Sequence, residues 1–249
     1  MTRQQKSPPK LCVYCGESAT SRDHVIPQSL FTPPLPQMIT VPACEACQTE
    51  KSYGDDDLAH YVALSWAGSQ HPRAREQLER AKRATLMGRS KLGNAFLEGG
   101  STREILTESG IYLFDVWEVP IPDENRDMFK TLQYIVRGLH VVRNFRFDRK
   151  IPPIPPDCPV DIRGLNRLKA NSLITKFLNL PHEEFITMTN SRAETEQPIA
   201  MWSRSVPVGG DPFSRFWILV FNDQECFVGA TGGVAIAAKQ YMDERRGKS

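Results

Sequence analysis

Apolar residues recur at helical spacing over residues 55–66, where Leu58, Tyr61, Val62 and Trp66 share a side. The same spacing over 125–143 lines up Met128, Leu132, Ile135, Val136, Leu139 and Val142 as one core-facing stripe. Ile162, Leu165, Leu168, Ile174 and Phe177 predict a further amphipathic helix over 161–178, and a closing helix is expected over 234–246. The run Ile-Tyr-Leu-Phe-Asp-Val-Trp-Glu-Val at 111–119 reads as a strand, with shorter strands at 185–189 and 200–206. Residues 216–221 and 225–230 flank Asn222-Asp223-Gln224 as a hairpin. A helix over 72–91 has unusual content: Arg73, Arg75, Arg80, Lys82, Arg83, Arg89 and Lys91 stand against Glu76 and Glu79, which suits either a solvated face or a clamp on phosphates.

Residues 11–52 follow neither period. They are rich in Pro, Cys and turn residues and too poor in aliphatics for an ordinary core, so a bound metal must substitute for burial there. The chain therefore divides into a flexible tail at 1–10, a metal-stabilised module at 11–71 and a mixed helix and strand domain at 72–249, joined internally by a Pro-rich connector at 151–159. The expected fold class is α+β. At 249 residues, 40% hydrophobic and 24% charged, the chain can build a real core, which excludes a mini-protein, a disordered tail or a fibre. No apolar run approaches the roughly 20 residues of a membrane span, and the first ten residues are polar and basic, so no membrane is expected and the location is read as cytoplasmic. A formal charge of +2 says little about partners, so any basic surface must be local.

Four of the six cysteines form two C-x-x-C pairs, Cys12 with Cys15 and Cys44 with Cys47. In a reducing compartment such pairs place four thiolates for a tetrahedral structural Zn²⁺. Cys158 and Cys226 lie outside this pattern and each reads as a small core residue or an idle surface one. His60 reads as a satisfied or surface imidazole, the four tryptophans as packing, and the Asp55-Asp56-Asp57 run as the cap of a helix starting near Leu58. Between the cysteine pairs stands Arg22-Asp23-His24-Val25-Ile26-Pro27. A carboxylate at 23 is a hard oxygen ligand suited to Mg²⁺, and an imidazole at 24 can deprotonate water near neutral pH.

These pieces resemble the HNH endonucleases of the ββα-metal type, in the branch stapled by zinc between two C-x-x-C knuckles. The matching residues are Cys12-Val13-Tyr14-Cys15-Gly16, Arg22 to Pro27, Ile39-Thr40-Val41-Pro42-Ala43-Cys44-Glu45-Ala46-Cys47, and Lys51-Ser52. The resemblance implies that Asp23 binds a catalytic divalent ion, Mg²⁺ or Mn²⁺, and that His24 is the general base. It also implies that a helix after Cys44 carries a second metal ligand on its first turn. Where that family has Asn or His after the last cysteine this chain has Gln48, and where a middle Asn orients the loop it has Gln37. Both keep a carboxamide, one methylene further out. Adjacent strand residues point to opposite faces, so the strand must distort or end at Asp23-His24 if both are to reach one phosphate. Pro27 suits the end of a short ribbon.

The expected activity is hydrolysis of DNA phosphodiester bonds, with duplex DNA as partner and phage defence as a family-level setting. Arg22, Lys51, Arg73, Arg75, Arg80, Lys82 and Arg83 are the expected phosphate contacts. The domain at 72–249 would supply substrate binding, regulation, a homodimer contact or the docking surface for a defence-system partner protein. The alternative is a catalytically weakened zinc module that acts as a nucleic-acid-binding or protein-interaction protein.

Overall fold

The computed structural model describes residues 10–30, 39–64, 79, 82–83, 87, 101–106, 112–118, 126–146, 153–165, 172–176, 179, 183–187, 199–205, 210–221 and 225–246. Most of the basic stretch at 72–91, the stretch 31–38 with Gln37, and the segment 1–9 lie outside them.

A two-stranded antiparallel ribbon, β1 (Ser21–His24) and β2 (Thr40–Ala43), opens the fold, in the register Ser21↔Ala43, Arg22↔Pro42, Asp23↔Val41 and His24↔Thr40. Alternation sorts its side chains. Asp23 shares a face with Val41 and Ala43, which are buried, and His24 shares the other with Arg22, Thr40 and Pro42. The strand does end at His24; Val25 N–H still donates to the Ile39 carbonyl at 3.0 Å before the 3₁₀ turn Gln28–Leu30.

Helix α1 (Glu45–Leu64) starts directly after Cys44. It is one continuous helix, where sequence spacing suggested a separate start near Leu58. The Asp55-Asp56-Asp57 run therefore lies inside it and is not a cap. Asp55 sits one turn after Lys51 and pairs with it, an i, i+4 arrangement that stabilises the helix interior.

Next come the antiparallel pair β3 (Ser101–Leu106) and β4 (Tyr112–Glu118), of which only β4 was legible in the sequence. Helix α2 (Arg126–Arg146) buries the stripe read from its periodicity: Met128, Leu132, Ile135, Val136 and Leu139 are fully buried and Val142 partly so. At about 1.5–3 kcal/mol for each large apolar side chain, this stripe adds to the core formed by the buried Val13, Tyr14, Val25, Ile26, Leu30 and Val41 of the cysteine-rich segment.

A five-stranded antiparallel sheet follows, ordered β5-β9-β8-β7-β6, from β5 (Val160–Leu165), β6 (Glu183–Thr187), β7 (Ile199–Ser205), β8 (Arg215–Phe221) and β9 (Glu225–Thr231). The expected 216–221 and 225–230 hairpin is present as β8 and β9. Helix α3 (Gly233–Arg246) closes the chain. The helix expected over 161–178 is corrected: residues 160–165 form β5, paired with β9 throughout, and among the described residues of that range helical backbone is found at 172–176. Ile162 fits both periods, but the order Val160, Asp161, Ile162, Arg163 alternates apolar and charged, and Ile162 is buried while Arg163 is exposed.

One buried cluster runs through Val13, Val25, Val41, Leu58, Val62, Leu132, Ile135, Trp217, Leu219 and Phe227. It is continuous from the cysteine knuckles through α1 and α2 to the sheet. Mixed helix and strand content of this kind is α+β.

Candidate functional site

The first knuckle is a tight turn: Cys12 N–H donates to the Glu17 carbonyl at 2.6 Å and Gly16 N–H to the Cys12 carbonyl at 2.9 Å. The second knuckle is the first turn of α1, where Gln48 N–H donates to the Cys44 carbonyl at 3.1 Å. Together they bring the sulfurs of Cys12, Cys15, Cys44 and Cys47 within 4.8 Å of one another, and all four are free thiols. Tetrahedral Zn²⁺ with bonds of about 2.3 Å needs sulfurs about 3.8 Å apart. Cys15 and Cys44 sit at 3.6 Å, so the donor set fits a metal such as zinc. The Cys47 backbone N–H lowers the Cys44 thiol, while burial raises those of Cys15 and Cys47; a bound cation would offset that cost of burial.

The ribbon and α1 bring the expected site residues side by side. Gln48 Nε2 donates to Ser21 Oγ at 2.5 Å, on the ribbon face that also carries Asp23. Asp23 Oδ2 accepts the Tyr14 hydroxyl at 2.7 Å and lies 3.3 Å from Lys51 Nζ. Both partners sit on the same oxygen. Asp23 keeps 16% of its side chain exposed, and its Oδ1 has no partner among the described residues. On the opposite face, His24 Nε2 is 2.8 Å from the Gln28 amide nitrogen, and His24 Nδ1 is buried without a hydrogen bond. With the proton on Nδ1, Nε2 carries the lone pair. Arg22 donates from Nε to Thr40 Oγ1 and from an Nη to the Thr40 carbonyl, each at 2.8 Å, and stays exposed.

Lys51 is corrected. Expected at the surface as a phosphate contact, it is 1% exposed. Its ammonium points inward to the His24 carbonyl at 2.9 Å, to Asp55 at 3.1 Å and to Asp23. Three donors meet three acceptors, which is what a buried ammonium requires. Among the other expected phosphate contacts, Lys82 and Arg83 are exposed and bond to Glu79, Lys82 Nζ to its carboxylate at 3.0 Å and Arg83 Nε to its carbonyl at 3.2 Å. Arg73, Arg75 and Arg80 lie outside the described residues, as does Gln37.

Several residues that complete this region escaped sequence reasoning. Tyr14 stands between the two cysteines of the first knuckle, and its ring meets Tyr134 of α2 at 4.7 Å between centroids. Burial and the charge of Asp23 push the Tyr14 phenol far above its ordinary value, so it stays a donor. Thr131 Oγ1 lies 2.9 Å from the Lys51 carbonyl and 3.3 Å from Asp55 Oδ1. Glu50 accepts from Lys130 and Tyr134, which holds its carboxyl below the usual range. The available signal was polar: Lys130, Thr131 and Tyr134 interrupt the apolar helix α2 on one side. Those side chains meet α1 where Gly54 lets the helices touch; a Cβ on Gly54 would lie 2.0 Å from the Asp127 carbonyl oxygen.

Among the described residues no helix is long and apolar enough to cross a membrane. Comparison with protein-family models, with curated proteins and with solved structures yields no match to this chain.

Proposed function

We propose that the chain is a zinc-stapled, metal-dependent endonuclease of the HNH type that hydrolyses phosphodiester bonds in DNA. The observation that carries this reading is the shared mounting of Asp23, His24 and Gln48. The cysteine cluster holds a ribbon ending at His24 against the first turn of α1, with Gln48 bonded to Ser21 two residues before Asp23. Asp23 Oδ1 and the Gln48 carbonyl oxygen would hold a divalent cation, which are hard oxygen donors of the type Mg²⁺ and Mn²⁺ take. When bound there, that ion would neutralise charge developing on the phosphate and on the departing 3′ oxygen. His24 Nε2 would take the proton from the attacking water once the Gln28 amide nitrogen, which sits on that atom at 2.8 Å, gives way to it. Exposed Arg22, on the same ribbon face as His24, would serve an adjoining phosphate.

The test is nicking of supercoiled plasmid in Mg²⁺ or Mn²⁺, with EDTA as control. General-base help is worth about 10²–10⁴-fold, so His24→Ala should lose that factor while zinc content and fold persist. An unchanged rate in that variant overturns the assignment of the base.

A second reading has its own support. Asp23 and His24 occupy opposite faces of the ribbon, and a buried ammonium already neutralises Asp23. Both favour a zinc module that binds nucleic acid without cutting it. That protein would show affinity for DNA that falls steeply with salt and no nicks under any divalent ion.

A further inference from the structure

Lys51, Asp23 and Asp55 form a group of three charges in which the ammonium is buried and the two carboxylates are partly so. The ammonium lies 3.3 Å from Asp23 Oδ2 and 3.1 Å from Asp55 Oδ2, and its third hydrogen meets the His24 carbonyl at 2.9 Å. One cation is thus shared by two carboxylates, and the group carries a net charge of about −1 with all three ionised. The two carboxylates differ in outlook. Asp55 is tied back to α2 by Thr131 Oγ1 at 3.3 Å, whereas Asp23 presents its remaining oxygen, Oδ1, toward the partly exposed side of the ribbon. A cation arriving at Oδ1 meets the attraction of Asp23 and Asp55 and the repulsion of Lys51, in a region too buried for water to screen them fully.

We infer that Lys51 is a positioning residue that sets how tightly Asp23 takes a divalent cation, as a resident counter-charge whose hold on Asp23 is divided with Asp55. The inference rests on the reading of Asp23 as a divalent-ion ligand. It assigns opposite signs to two neighbouring substitutions. Lys51→Met removes the positive charge and leaves two carboxylates uncompensated, so cation affinity rises. Asp55→Asn leaves the whole ammonium to Asp23, so cation affinity falls. A role in packing alone would lower affinity in both, because both disturb the same buried group.

The experiment is titration of the full-length, zinc-loaded protein with Mn²⁺ alone, the free ion being followed by electron paramagnetic resonance, with zinc content measured for each variant. The expected result is an Mn²⁺ dissociation constant about tenfold lower in Lys51→Met and about tenfold higher in Asp55→Asn. Shifts of the same sign in the two variants, or no shift in either, overturn the inference. If Lys51→Met does not fold, Lys51→Gln takes its place: tighter Mn²⁺ binding supports the role of Lys51, and weaker or unchanged binding overturns it. Asp23→Asn separates the two levels. Wild-type Mn²⁺ binding in Asp23→Asn sinks the ligand reading itself, whereas lost binding there with unchanged binding in Lys51→Met sinks the role of Lys51 alone.

Discussion

Arg137 is a guanidinium enclosed by backbone. Its two terminal nitrogens reach the carbonyls of Ile154, Pro155, Pro156 and Cys158 at 2.7–3.1 Å, and burial lowers its affinity for the proton. Arg137→Ala would leave the buried Ile154 carbonyl and three partly buried ones without this donor, and we expect a loss of about 2 kcal/mol in urea unfolding. Arg137→Lys should recover only part of it, because one ammonium cannot span the carbonyls that the planar fork reaches. Asp55 makes a prediction about pH. Facing Lys51, Asp23 and Thr131, it is pushed up from 3.8 to about 6, mainly by burial. Between those values the folded state binds more protons than the unfolded one, so this group's contribution to stability declines as pH rises from about 4 to about 6. Relative to Asp55→Asn, the wild type should lose up to about 3 kcal/mol across that window, measured by unfolding at pH 4 and pH 7. At this scale little of the site was legible. The four cysteines announce themselves because their spacing is local, but the partner of Lys51 is fixed by strand alternation and that of Tyr14 by a helix more than a hundred residues away.

Among the elements, α1 and α2 touch most closely at Gly54. Ala is favoured over Gly in a helix by about 1 kcal/mol, but a Cβ here would meet the Asp127 carbonyl at 2.0 Å and Thr131 Oγ1 at 2.6 Å. The clash wins, and Gly54→Ala should destabilise by about 2 kcal/mol in chemical denaturation. The cysteine knuckles give a second expectation: metal analysis should find about one zinc per chain, and Cys44→Ser should lower both that content and the midpoint of thermal unfolding. Helix α2 was readable because its stripe is long and regular. Strand β5 was misread because Ile162 and Leu165 are three apart, a helical interval that outweighed the charged alternation of Asp161 and Arg163. Helix α1 was half read, since the aspartate run resembles a cap until Lys51 and Thr131 are seen to hold Asp55 inside the helix.

Across the whole molecule the buried cluster is shared between the knuckles and the sheet. Val25, Leu58 and Val62 belong to the same buried cluster as the α2 stripe, Trp217 and Phe227, and Val25 meets α2 at Gly138. A fragment of residues 1–71 would expose these side chains, so we expect it to stay largely unstructured even with zinc, as read by amide dispersion in NMR spectra. The intact chain should unfold in one transition followed alike by tryptophan fluorescence and circular dichroism. The sequence suggested two regions because the metal-bearing part is poor in aliphatics; the core it lacks is lent by α2. That loan has a mechanical side. Gly138 lets α2 lie directly on Val25, where a Cβ would come within 2.9 Å of both methyl groups, and Val25 is the residue after His24. There is no slack at that contact, so a sideways step of the helix by the width of one methyl must carry the imidazole with it. The seat of α2 on Val25 thus sets where the ribbon ends and the imidazole begins.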